Sequence, residues 1–89
     1  MTYYTIRDTH GSIVCGGSKE LCETHREIEI EAALFSIDYE RDGLPRSLSW
    51  CDTHKLRAAW IKFHRERMAK AKARLRYWQA AEIQERING

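Results

Sequence analysis

From residue 49 to residue 87 the chain contains no glycine and no proline. Ala, Arg, Lys, Glu, Gln and Leu dominate this stretch, all strong helix formers. Ile61, His64, Met68, Ala71, Leu75 and Trp78 recur in it at the spacing of one helix face. Ser49 with Asp52 three residues on has the form of a capping box, Asp standing in for the usual Glu. These signals predict one helix over 49–87, ended by Asn88-Gly89. Such a helix is roughly 58 Å long, and the rest of an 89-residue chain must be arranged beside it.

The residues before it read as two further units. Tyr3, Tyr4, Thr5 and Ile6, and then Ile13 and Val14, favour strand, and the segment Asp8-Thr9-His10-Gly11-Ser12 between them has turn chemistry. A β-hairpin is expected over 1–17, with Cys15 on its second strand and Gly16-Gly17 breaking it. Ser18 is a suitable N-cap for a second helix over 18–42. There Leu21, His25, Ile28, Ala32, Phe35 and Tyr39 follow a 4-3-4-3-4 spacing, that of a seam packed on another helix. Asp42-Gly43-Leu44-Pro45 is expected to end it. The expected fold is α+β, one small domain over 1–89 in the order ββαα, with the two helices antiparallel about a turn at 43–46. The first helix is then some 20 Å shorter than the second. The second must overhang, and Leu75, Trp78 and Ile83 need cover from the β-hairpin or from a second copy of the chain.

Charge is split between the two helices. Residues 18–42 hold eight acidic and three basic side chains, a net of −5, whereas residues 50–79 hold two and nine, a net of +7. Glu29, Glu31 and Asp38 flank the first seam, and Arg65, Arg67, Lys72 and Arg74 the second, so part of the split answers itself across the hairpin. Lys70, Lys72, Arg74 and Arg76, followed at once by Tyr77 and Trp78, lie on the expected overhang, beyond reach of the acidic helix. Cations beside aromatics suit either an acidic protein surface or phosphates with base stacking. These six residues are the partner-binding site expected from sequence.

Cys22-Glu23-Thr24-His25 and Cys51-Asp52-Thr53-His54 look alike. Two Cys-x-x-His pairs have the composition of a Cys₂His₂ zinc site, so Cys22, His25, Cys51 and His54 are the metal-ligand candidates and zinc is the one cofactor raised. Antiparallel helices argue against it, because each pair begins a helix and the two beginnings lie at opposite ends.

Other chemistry finds little support. Gly16-Gly17 lacks the spacing and the Lys of a phosphate-cradling loop. No nucleophile–base arrangement falls within hydrogen-bond reach in the expected hairpin. No apolar run is long enough to span a bilayer, and MTYYTIRD carries no apolar signal core. The odd count of three cysteines argues against a disulfide framework and fits a reducing, cytoplasmic setting. The expectation is a non-enzymatic protein that binds and modulates a larger protein or protein–nucleic-acid complex, with nucleic acid as the alternative partner and no membrane. Small proteins of this kind occur among phage and plasmid regulators and inhibitors, an analogy that no residue carries.

Overall fold

A computed structural model describes residues 2–87. Two strands, β1 (Thr2–Arg7) and β2 (Ile13–Gly17), are followed by two helices, α1 (Lys19–Ser49) and α2 (His54–Ala80), and by a third strand, β3 (Gln84–Ile87). The fold is α+β, an N-terminal β-hairpin and then a helical hairpin, as the sequence predicts.

The turn between β1 and β2 is built by Asp8. Its Oδ1 accepts from the backbone N–H groups of His10 (2.9 Å) and Ser12 (3.0 Å), and Gly11 takes φ 83°, which a side chain would resist. Ser18 caps α1 by accepting from the Leu21 N–H at 3.1 Å.

Three expectations are corrected. First, α1 does not stop at Gly43-Leu44-Pro45 but runs on to Ser49 with Pro45 inside it. Proline's fixed φ is helical, so its cost is one lost N–H and a clash with the preceding turn. The turn that follows is held by its contacts: Ser47 lies 3.0 Å from the His64 ring, and the Cys51 thiol donates to the Ser47 carbonyl at 3.3 Å. Gly43 is not a left-handed terminator; a side chain there would meet the edge of His64 at 3.4 Å, so its smallness lets the helices approach.

Second, the cap of α2 is Thr53, which accepts from the Leu56 N–H at 3.1 Å, rather than Ser49. The hairpin therefore turns at residues 50–53, about seven residues later than expected. Every cross-helix pair shifts with it. Glu40 meets His64 and Arg67, Glu29 meets Arg74, and Arg26 donates to the Ala81 carbonyl at 3.0 Å. The overhang disappears.

Third, α2 ends at Ala80, and Gln84–Ile87 pairs antiparallel with β1, giving a sheet of order β2-β1-β3. No residue breaks the helix. Instead β1 offers an unpaired edge, and ladder bonds from Thr2↔Ile87 to Thr5↔Gln84 outweigh the helical preference of Glu and Arg. The expected stop at Asn88-Gly89 lies outside the described residues.

The core sits where the sheet meets the open end of the helical hairpin. Ile6, Cys22 and Trp78 are buried there, with Tyr4, Cys15, Ile30, Tyr77 and Ile83 packed around them. The rest of the molecule is one layer of two helices, and the whole is 64 Å long and only 19 × 15 Å across.

Candidate functional site

The α2 seam is the expected one: His64, Ala71 and Trp78 are buried, with Ile61, Met68 and Leu75 half-buried. The α1 seam is not. Cys22, Ala33 and Glu40 are the buried positions, while Leu21, Ile28, Phe35 and Tyr39 are exposed. The helix is turned by about one residue, or 100°, from the expected phase. A carboxylate thus occupies the interface, and it is fully partnered. His64 Nδ1 lies 2.8 Å from Glu40 Oε2, and Arg67 Nε donates to Oε1 at 2.6 Å. A carboxylate only accepts, so Nδ1 carries a proton, and Nε2 lies 3.0 Å from the Ser47 hydroxyl.

Ser47, His64 and Glu40 share the hydrogen-bond order of a nucleophile, its base and an orienting acid, an arrangement sequence reasoning missed. The amides flanking Ser47 lie within α1 and donate to carbonyls four residues back, so they are not free to hold an oxyanion. The network also favours one register of the two helices, because a one-turn slip would leave a buried charge alone.

Each flank of the hairpin then has its own chemistry. On one flank, Phe35 and Tyr39 stack at 6.5 Å, and Trp60 meets Phe63 edge-on at 5.6 Å. These four side chains line an open cleft of about 610 Å³ above the Glu40–His64 pair. On the other, Arg41, Leu44, Arg65, Met68 and Lys72 border a second groove.

The six residues expected to form one binding surface are dispersed. Residues two apart on a helix point to opposite sides, so Lys70 and Arg74 lie on the aromatic flank and Lys72 on the other. Arg74 pairs with Glu29 at 3.2 Å. The Tyr77 hydroxyl donates to the carbonyls of Arg7 (2.6 Å) and Asp8 (2.5 Å), tying α2 to the β-turn. Trp78 is 3% exposed, edge-on to His25 at 5.7 Å. It is a core residue, and its substitution acts on the fold. Leu75, Trp78 and Ile83 are covered within the chain, which removes the expected reason for dimerisation there. The cations that do align are Lys62, Arg65, Lys72 and Arg76, spaced 3-7-4, and all four are exposed without an ion pair among the described residues. That helical spacing was present in the sequence.

The two Cys-x-x-His pairs are not brought together. Cys22 and His25 lie at the start of α1, and Cys51 and His54 beyond its far end, roughly 40 Å away along the helix. Four ligands to one zinc must each come within about 2 Å of it, so a single ion cannot join these pairs within one chain. No group of three or more His, Cys, Asp or Glu side chains suited to a metal occurs among the described residues. Burial pushes the Cys22 thiol above its ordinary value, and neighbouring Cys15 adds to the shift. No helix is long and apolar enough to cross a membrane among the described residues.

Comparison with protein-family models, with curated proteins and with solved structures finds no match to this chain.

Proposed function

We propose that the chain is a non-enzymatic interaction module that binds and modulates a larger protein, docking an acidic surface of that partner on the cation stripe of α2. The supporting observation is the stripe itself. Lys62, Arg65, Lys72 and Arg76 follow one flank over about 21 Å, while the neighbouring cations Arg67 and Arg74 are held by Glu40 and Glu29. The stripe borders Leu44 and Met68. A partner that fits must offer apolar contact as well as negative charge, which a protein surface does. The α2 charge itself, nine basic residues against one acidic, supports a second reading in which the stripe follows a phosphate backbone.

The test is capture from cell extract by the immobilised chain, with and without nuclease, against the variant Lys62→Glu/Arg65→Glu/Lys72→Glu/Arg76→Glu. All four side chains are exposed, so the variant is expected to keep the helical circular-dichroism spectrum, which is checked first. Nuclease-resistant capture lost in the variant is expected, and capture that survives all four reversals overturns the proposal. Nuclease-sensitive capture, with affinity falling as about the third to fourth power of salt for four phosphate contacts, selects the nucleic-acid reading. Ser47-dependent hydrolysis of an activated ester above the imidazole background would overturn the non-enzymatic assignment.

A further inference from the structure

The aromatic flank is not used by that stripe and has its own requirement. Phe35 is 71% exposed, Tyr39 62% and Phe63 43%, with Ile28, Leu21 and Leu56 also exposed. Leu21, Ile28, Phe35 and Tyr39 keep a 7-7-4 spacing over most of α1, the pattern of a helix packed along its length, yet all four stay exposed among the described residues. A monomer of 10.5 kDa exposes about 5,400 Å² on the usual scaling with mass; this chain exposes 6822 Å². The excess, about 1,400 Å², is that of the whole elongated surface, and a standard interface would remove roughly 800 Å² of it from each partner.

We infer that this flank is covered by a second copy of the chain, forming a two-fold symmetric four-helix bundle. Charge selects both the occupant and its orientation. α1 carries eight acidic and four basic residues, and α2 one acidic and nine basic. Face-to-face hairpins can be related by an axis across the helices, which stacks α1 on α1 and α2 on α2, like on like. An axis parallel to the helices instead lays α1 of each copy antiparallel on α2 of the other, acid on base, with both helix-hairpin turns at the same end. Phe35 and Tyr39 of one copy then meet Trp60 and Phe63 of the partner at similar height, because all four line one cleft in each chain. The interface is self-complementary and closed, so assembly stops at two. The cation stripes are left on the two outer faces of the dimer.

The solution mass of the full chain tests this. At high micromolar concentration a mass about twice 10.5 kDa is expected. Phe35→Glu/Phe63→Glu replaces exposed side chains, so it should keep the helical circular-dichroism spectrum while weakening dimerisation about thirtyfold or more. A monomeric wild type, a mass that keeps rising with concentration, or a variant that stays dimeric overturns the proposal. Spin labels at Trp50→Cys, with Cys15 and Cys51 replaced by Ser, test the orientation. Turns at one end give a short label-to-label distance, whereas a separation near the 64 Å length of the molecule overturns the stated axis. The stripe reversals also remove most of the α2 charge that orients the pair, so the dimer is tested on the wild type and on Phe35→Glu/Phe63→Glu, which keep all four stripe cations, and the two proposals fail separately.

Discussion

Glu40 is 4% exposed, and both its oxygens have partners. A buried carboxylate needs such compensation, and removing part of it exposes the cost. Glu40→Gln is therefore expected to lower stability by about 1–3 kcal/mol. Arg67→Ala, at a side chain that is half exposed, should cost under about 1 kcal/mol. Urea denaturation measures both, and the reverse order would remove Glu40 from the centre of the network. Cys22 offers a second residue-scale test. Burial raises its thiol value in the fold above that of the unfolded chain. Its contribution is thus complete below the ordinary thiol value and is lost as pH rises from there through the raised one. Stability should fall with rising alkaline pH, and Cys22→Ala should flatten that fall. In the native chain Cys22 should resist alkylation while half-buried Cys15 and Cys51 react; rapid labelling of Cys22 would contradict its place in the core.

At the scale of elements, Pro45 is the informative position. A proline inside a helix costs about 3 kcal/mol, and α1 keeps it because the turn beyond it carries Ser47. Pro45→Ala should stabilise the fold by about 1–3 kcal/mol, read as a raised urea midpoint with an unchanged slope; a lowered midpoint would mean that the proline itself is needed for packing. The same residue explains what the sequence hid. Gly43 and Pro45, two residues apart, read as a stop, so the hairpin turn is expected seven residues early, and the overhang and its binding surface follow from that displacement. The phase of α1 is hidden for a different reason. Ile28, Phe35 and Tyr39 mark an apolar seam, whereas the packed seam contains a glutamate whose partners, His64 and Arg67, are 24 and 27 residues away. In α2 every seam residue but His64 is apolar, and there periodicity alone finds the buried face. β3 is illegible because its reason for being a strand lies in β1.

For the whole molecule, shape and charge carry more than any single site. The α+β class and the order of hairpin and helices were legible, because turn residues and caps are local signals. The pairing of faces was not, since a single layer of two helices has two free flanks and periodicity cannot say which stripe a chain keeps for itself. Of the two stripes on α1, the chain buries the one with the charge and leaves the aromatic one outside.

The pairing of β3 with β1 also sets an order of assembly. Partners such as Thr5 and Gln84 are about 80 residues apart in sequence, and closing a flexible loop of that size costs about 4 kcal/mol beyond a constant. The helical hairpin closes through residues 50–53 alone and carries β3 back to the sheet. Strand β1 pairs first with β2 across a five-residue turn and acquires its other neighbour only after the helices have met. Amide protons in the β1–β3 ladder should accordingly be the last protected on refolding and the first to exchange, a slow seam at one end of a fast-closing rod.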